Sequence, residues 1–195
     1  MISIFKSKQP PALASLLRDR IHYACGKNVL AGWLNVDGFD PSHPDGFVDP
    51  KLAERIFACD LSQAHPFPDN HFRFGYAEDF LEHLTQAQSI VFLKEAWRCF
   101  QSGGVLRLSF PGLVGIMRHF RGTTHADMLR GVNEAYTMWH HEHFYCAESL
   151  SVVAQTLGWS RLDVVRFGES VHPELHGLET RPAQRDLNLV VELTK

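Results

Sequence analysis

Residues 21–37, IHYACGKNVLAGWLNVD, predict two strands joined by a turn that contains glycine. The first apolar run covers 21–24 and ends at Cys25-Gly26, and the second covers 33–37 and ends in the carboxylate of Asp37. Short apolar runs with glycine or an acidic residue at their ends are typical of neighbouring strands in an open α/β sheet. This stretch therefore indicates a sheet that carries polar groups at its strand ends.

The rest of the chain alternates short apolar runs with amphipathic stretches, which favours an α/β layered fold. Thr85 and Gln88 have the spacing of a capping box, and Gly103-Gly104 is expected to stop the helix that begins there. The further strands are predicted at 55–59, 72–77, 105–110, 162–167 and 187–193, and the further helices at 11–18, 113–145 and 148–157. The expected fold is a Rossmann-like, doubly wound, mostly parallel seven-stranded sheet with a C-terminal antiparallel hairpin.

Length and composition favour a single domain over residues 1–195, with 45% hydrophobic residues and a net charge of −3. Within it we expect an N-terminal helical extension (1–20), a helical insertion on the substrate side (112–147) and a polar lid loop (168–186) that is too polar to be buried. The slightly acidic balance argues against a nucleic-acid partner. The apolar runs are too short for a membrane span, and no signal peptide is expected. Four widely spaced cysteines predict reduced thiols and a cytoplasmic location.

Ligands of open parallel sheets bind at the carboxyl ends of the strands, so residues at the strand ends are the candidate site. Gly26 lets backbone pass close to a ligand. Asp37 can accept two hydrogen bonds from a ribose diol, and Asp60 can accept the amino group of an adenine. Each aspartate alone could equally cap a turn. Together, on separate strand ends, they favour a nucleoside site.

These motifs resemble those of small, methyltransferase type 11-like members of the class I S-adenosylmethionine-dependent methyltransferases. The resemblance covers roughly residues 20–195 and rests on ordered motifs: IHYACG (21–26), GWLNVD (32–37), CDL (59–61), PFPD (66–69), AEDFLEHL (77–84), EAWR (95–98), GGVLRLS (103–109) and WHH (139–141). It implies an enzyme that uses S-adenosylmethionine and releases S-adenosylhomocysteine.

The resemblance also implies a role for each strand end. The turn Ala24-Cys25-Gly26 would lie under the methionine part of the cofactor, and Asp37 would bind the ribose. The adenine would be held by Asp60 and the backbone of Leu61, and Ala77 and Glu78 would lie beside the sulfonium. The acceptor is expected to be a small molecule, and the sequence carries no signal for an oligomeric state.

Four positions depart from the family pattern: Ala24 and Asn28 replace turn glycines, Gly112 replaces an aspartate after Pro111, and Cys146 replaces an aspartate after a tyrosine. A negative φ at Ala24 would accommodate its methyl group. Two alternatives therefore stay open. One is a catalytically degenerate binding or scaffold module, and the other is a different reaction of the same sulfonium cofactor or of another nucleoside.

The run His140-His141-Glu142-His143 places His140 and His143 three apart on the predicted helix, but it lacks HExxH spacing, so no metal site is predicted. By resemblance, His141 lies near the substrate, where a neutral imidazole can act as a general base. Glu78, Asp79 and His83 are the rival catalytic candidates. His83 is expected to be structural, and Arg181 to be a solvated surface charge.

Overall fold

Seven strands form one sheet in the computed structural model, which describes residues 12–38, 54–119 and 124–195. They are β1 (Arg20–Tyr23), β2 (Leu34–Asp37), β3 (Ile56–Ala58), β4 (Phe72–Glu78), β5 (Phe100–Pro111), β6 (Arg161–Val164) and β7 (Asn188–Thr194). Their order is β3-β2-β1-β4-β5-β7-β6. The first five run parallel, and β7 runs antiparallel to β5 and β6. The mostly parallel sheet with an antiparallel C-terminal pair is confirmed.

Five helices accompany the sheet in the described part of the chain: α1 (Leu13–Leu16), α2 (Gln86–Cys99), α3 (Leu113–Arg118), α4 (His125–Thr137) and α5 (Ala147–Thr156). Short 3-10 helices lie at Leu81–His83, Pro173–Leu175 and Pro182–Gln184. None of the described helices combines the length and apolar character that crossing a bilayer requires. Residues 1–11 of the predicted extension lie outside the described residues.

Helix α2 begins with the predicted capping box. The Thr85 backbone N–H donates to Gln88 Oε1 at 2.9 Å, and the Gln88 N–H donates to Thr85 Oγ1 at 3.3 Å. The helix packs Phe92, Leu93 and Ala96 into the main core. Because α2 covers one face of β4 and β5, these strands are buried along most of their length.

Strand β5 begins at Phe100, earlier than position 105, where the sequence predicted it to begin after Gly103-Gly104. Helix α2 already ends at Cys99, and Phe100 begins the strand. Gly104 lies within β5, where a Cβ would come within 2.9 Å of the carbonyl oxygens of Gln101 and Phe72. Gly103 and Gly104 therefore do not stop the helix. They let β5 approach β4 closely where the register between the two strands shifts.

The helical insertion predicted over 112–147 is helical only in part, because residues 138–146 fold back without forming a helix. His140 has a positive φ of 57°, and the His141 N–H donates to the Ala135 carbonyl at 3.0 Å. The Glu142 N–H then donates to the Glu82 carbonyl at 2.8 Å. The prediction that His140 and His143 share a helix is wrong, since these bonds tie the segment to α4 and to the 3-10 helix Leu81–His83.

The segment 168–186 is mostly exposed or half-buried, as its polarity predicted, but a buried ion cluster anchors it. Arg107 of β5 donates to Glu179 Oε1 at 2.6 Å and to Glu192 Oε1 of β7 at 2.7 Å. Neither Arg107 nor Glu179 exposes any of its side chain. Paired opposite charges can be enclosed where an isolated charge cannot. The segment is therefore fixed to the sheet on one side.

Candidate functional site

The three residues predicted to surround a nucleoside lie at one edge of the sheet. The Gly26 backbone N–H donates to Asp37 Oδ2 at 2.6 Å, which joins the turn after β1 to the end of β2. The Cys59 N–H donates to the Asp37 carbonyl at 2.9 Å, so Asp60 follows directly at the end of β3. The parallel order β3-β2-β1 brings these carboxyl ends together.

The turn after β1 has the backbone of a glycine-rich turn although its first residue is alanine. Ala24 has a φ of 47° and Gly26 a φ of 52°. The negative φ that would have eased Ala24 is not adopted, so its methyl group is held in the left-handed region at a cost of about 1–2 kcal/mol. A Cβ built at Gly26 meets no heavy atom of the described chain within 4 Å. The space above Gly26 is open for a ligand.

Asp60 caps a turn, which is the alternative role that the sequence left open for each aspartate. Its Oδ1 accepts from the Ser62 N–H at 2.9 Å and from the Ser62 hydroxyl at 2.7 Å. These bonds lower the pKa of the exposed Asp60 carboxyl, so it is ionised at neutral pH. Leu61 is buried beneath it. The turn fixes Asp60 while leaving Oδ2 toward the sheet edge free of hydrogen bonds with described residues.

Cys25 lies between the two left-handed residues of the turn and is buried. Burial, together with the negative charge of Asp37, raises the pKa of its thiol to about 12. A thiol that stays protonated is a poor nucleophile. Cys25 therefore contributes packing and backbone to the turn rather than reactivity.

Strand β4 ends next to this turn, because Tyr23 pairs with Ala77. Both oxygens of Glu78 accept from the Thr180 N–H, at 2.9 and 3.1 Å, and Oε2 also accepts from the Thr180 hydroxyl at 2.6 Å. Asp79, with a φ of 49°, pairs with Arg181 Nη1 at 2.6 Å. Arg181 is therefore not simply solvated. The segment 168–186 lies across the end of β4 through two consecutive residues.

A cavity of about 470 Å³ opens beside Asp79. Its polar wall includes Glu82, His83 and His141, and Arg181 lies on the side of the 168–186 segment. Apolar contacts come from Pro111, Trp139 and Leu187. This combination of apolar surface with a few converging polar groups is typical of a small-molecule site. Of the three predicted catalytic residues, Asp79 and His141 line this cavity, and Glu78 is turned toward Thr180.

Burial shifts the titration of the cavity wall. Desolvation lowers the pKa of His141 to about 4, with the nearby His83 acting in the same direction. Desolvation raises the pKa of Glu82 to about 8, and the negative charge of Asp79 adds to that rise. Burial also raises the pKa of Asp79, against the pull of Arg181. Both Glu82 and His141 are therefore largely uncharged at neutral pH.

Sequence reasoning missed Glu82 and assigned His83 a structural role. Both lie on the 3-10 helix Leu81–His83 directly after β4, in the LEH part of the resemblance. Their position four and five residues beyond the end of β4 was the available signal. Only the folding back of residues 138–146 places His141 against them, with the His83 and His141 ring centroids 5.2 Å apart.

No family model matches the sequence, and no curated protein sequence matches it. Solved structures match strongly. A SAM-dependent methyltransferase from Thermotoga maritima superposes with a TM-score of 0.60 at 18% identity, over 94% of this chain and 86% of that one. One from Mesorhizobium loti gives 0.56 at 14% identity, over 95% and 96%.

A third match is phosphoethanolamine N-methyltransferase 2 of Haemonchus contortus, solved with phosphomonomethylethanolamine and S-adenosylhomocysteine. It gives a TM-score of 0.55 at 11% identity, over 90% of this chain and 48% of that one. The fold of this chain is therefore that of the class I S-adenosylmethionine-dependent methyltransferases, as the sequence motifs predicted.

Proposed function

We propose that this protein is a cytoplasmic S-adenosylmethionine-dependent methyltransferase that acts on a small-molecule acceptor. The observation that carries the proposal is the Gly26–Asp37 hydrogen bond at 2.6 Å, at an edge that also holds Asp60. This bond supports the proposal because it joins an open glycine turn to a carboxylate at the carboxyl ends of parallel strands, the part of an open α/β sheet that binds ligands. Four free cysteines support a reducing compartment.

The residues at this edge fit S-adenosylmethionine. Asp37 would accept hydrogen bonds from the ribose hydroxyls. Asp60 would accept a hydrogen bond from the adenine, and the Leu61 backbone would donate one to it. The turn Ala24-Cys25-Gly26 would support the methionine part, where the open space above Gly26 gives room. Ala77 and Glu78 would flank the sulfonium. When bound, the cofactor supplies an activated methyl group, so the protein has mainly to position the two reactants.

The acceptor would occupy the cavity beside Asp79, with Asp79 and His141 as its polar contacts. Pro111 and Trp139 would hold its apolar part and exclude water. Glu78 would become available to the acceptor only when Thr180 releases its carboxylate. A cavity of about 470 Å³ suits a metabolite or a sugar-sized group rather than a macromolecule.

This cavity also distinguishes the enzyme from a scaffold that has lost catalysis. A scaffold needs no enclosed space at the methyl-transfer end of the cofactor site. Here polar and apolar groups converge one strand end away from the Ala24–Gly26 turn. The strained Ala24 lowers stability but leaves the space above Gly26 open. The geometry therefore supports the catalytic proposal over the scaffold.

Calorimetric titration with S-adenosylhomocysteine tests the proposal. We expect saturable binding at one site per chain, weakened about tenfold or more in Asp37→Asn, because a charge-assisted hydrogen bond to the ribose contributes roughly 1.5–3 kcal/mol. Asp19→Asn is the matched control, since Asp19 is exposed at the opposite end of β1. Absence of binding at millimolar ligand, or equal binding by Asp37→Asn, would overturn the proposal.

A further inference from the structure

The wall of the cavity contains a buried carboxylate without a partner for one of its oxygens. Glu82 is 2% exposed, and its Oε2 has no hydrogen bond with any described residue. Its closest basic neighbour in the described chain is His83, whose Nε2 lies 3.9 Å from Glu82 Oε1. A carboxyl group enclosed in this way keeps its proton unless a cation stabilises the charged form.

A second unpartnered atom lies in the same wall. His141 is 6% exposed, and its Nδ1 likewise makes no hydrogen bond within the described residues. His141 comes from the segment after α4, whereas Glu82 comes from the 3-10 helix after β4. Two separate parts of the chain thus bring unsatisfied polar atoms to one cavity. Such atoms are uncommon in folded proteins, and a bound ion or an ordered water would satisfy both of them.

His83 is oriented as a metal ligand would be. Its Nδ1 lies 3.3 Å from the carbonyl oxygen of His140. A carbonyl only accepts, so Nδ1 must carry the proton, and the neutral ring then presents the lone pair of Nε2. Metal-binding histidines generally donate their other ring N–H to a carbonyl or carboxylate in this manner.

We propose that Glu82, His83 and His141 bind a divalent metal ion of the zinc type at the wall of the acceptor cavity. Each residue offers one ligand atom, and the three atoms lie within 4.8 Å of one another. Ligand atoms of a tetrahedral zinc site are about 3.4 Å apart, so the widest pair closes by up to about 1.4 Å on binding. The His83 side chain is 45% exposed and is therefore the least enclosed of the three ligands.

The chemistry of the donor set defines the class of metal. Two imidazoles and one carboxylate suit zinc or another first-row transition ion, whereas magnesium and calcium prefer oxygen ligands alone. Three protein ligands leave a coordination position open toward the cavity, as in catalytic zinc sites. The site differs from the His140–His143 pair that spacing had excluded, because its ligands come from distant parts of the sequence.

The open position gives the ion a role in the proposed reaction, and that role rests on the proposed function. A hydroxyl or thiol acceptor that coordinates there loses its proton to water, because a bound cation lowers the acceptor's pKa. The O–H or S–H bond breaks, and its electron pair stays on the acceptor heteroatom. That heteroatom then holds the electron pair that forms the new bond to the methyl group. The metal therefore predicts an oxygen or sulfur acceptor.

The test titrates metal-free protein with Co²⁺, followed by its visible absorption, and then displaces it with Zn²⁺. We expect one ion per chain with the bands of four- or five-coordinate cobalt. His83→Gln and His141→Gln should weaken binding by more than the roughly 10–100-fold that loss of an outer partner costs. His125→Gln is the control, because His125 is an exposed histidine outside the cavity lining. Binding that these two variants leave unchanged, or no saturable binding, would overturn the site.

Thermal unfolding with and without Zn²⁺ tests the site even if a histidine variant folds poorly, because it compares each protein with and without the metal. Glu82→Gln replaces a carboxyl group that is largely uncharged at neutral pH with an amide of the same shape, so we expect the metal-free variant to unfold no earlier than the metal-free wild type. Zn²⁺ should raise the midpoint of the wild type and of His125→Gln, but not that of Glu82→Gln. Equal shifts in all three would contradict the site.

Calorimetry with S-adenosylhomocysteine on the same samples separates this inference from the proposed function. Nucleoside binding without metal binding would refute the metal site alone. Metal binding without nucleoside binding would leave the site in place and refute its role in methyl transfer.

Discussion

The Gly26 backbone N–H donates to the Asp37 carboxylate at 2.6 Å and joins the turn after β1 to the end of β2. No helix lies in the connection between these strands, which runs through residues 24–33. The hydrogen bond therefore holds the turn against the end of β2 in a connection that contains no helix. It also orients the carboxylate, so that the same bond shapes the turn and the candidate ribose contact.

Glycine at position 24 is expected to stabilise the protein, because Ala24 is held at a φ of 47°. Removing the methyl group relieves about 1–2 kcal/mol of strain, while the freer unfolded chain takes back roughly 0.5–1 kcal/mol. Ala24→Gly should therefore raise the free energy of unfolding by about 0.5–1 kcal/mol in urea titration. Gly26→Ala is the opposite control at a φ of 52° and should lower it. A destabilised Ala24→Gly would show that the methyl group is needed for packing.

Acid should destabilise the fold through His22, which is 2% exposed and stacks near Tyr76. Burial lowers the pKa of His22 to about 4, and a hydrogen bond with Asn35 only partly opposes this. Between pH 6.5 and 4 the unfolded state binds the proton and the folded state does not. Stability therefore falls as pH decreases through that window, by on the order of 3 kcal/mol in total, and this contribution is constant above it.

Chemical denaturation at a series of pH values measures this contribution. His22→Gln should flatten the slope between pH 6.5 and 4, whatever its stability at pH 7. His65, His141 and His143 also have lowered pKa values, so part of the slope stays in the variant. His176→Gln, at an exposed position, should leave the slope unchanged. A His22→Gln curve parallel to the wild-type curve would contradict the prediction.

The contact between Thr180 and Glu78 should control how often the 168–186 segment opens. Thr180→Val removes the hydroxyl that donates to Glu78 at 2.6 Å but keeps the backbone donor. Loss of one such bond is worth about 1 kcal/mol, so amide exchange around residue 180 should speed up about fivefold. Thr156→Val, on the exposed side of α5, is the control. Unchanged exchange would mean that the Thr180 hydroxyl does not limit the opening of the segment.

Arg107 should be the most sensitive charged residue for stability. Arg107→Met leaves Glu179 and Glu192 enclosed without their cation, a loss that typically costs about 3–5 kcal/mol. Arg161→Met removes an ion pair that is largely exposed, and should cost no more than about 1 kcal/mol. Urea titration of both variants makes the comparison. A cost below 1 kcal/mol for Arg107→Met would show that the two carboxylates take up protons instead.

Local patterns predicted much of the fold, because strand and helix signals depend on neighbouring residues. The strands β1, β2 and β4 lie within a residue of their expected bounds, and the capping box of α2 forms as predicted. The predictions failed where distant contacts override local preference. Helix α4 ends at Thr137 instead of continuing to Tyr145, and in the segment that follows the Glu142 N–H donates to the distant Glu82 carbonyl rather than within a helix.

The sequence by itself determined the α/β sheet and the glycine turn, together with the acidic residues Asp37 and Asp60 that follow its strands. Their positions at strand ends follow from the alternation of apolar runs and turns, which is a local property. Only the tertiary structure decided the composition of the cavity wall, where Glu82, His83 and His141 meet. His141 lies nearly 60 positions after Glu82 and His83. No periodic pattern in the sequence predicts such a contact, because it depends on backbone hydrogen bonds between two loops. The burial of Arg107 and Glu179 was also decided by the tertiary structure, because it depends on an ion pair that the residues adjacent to each in the sequence do not predict.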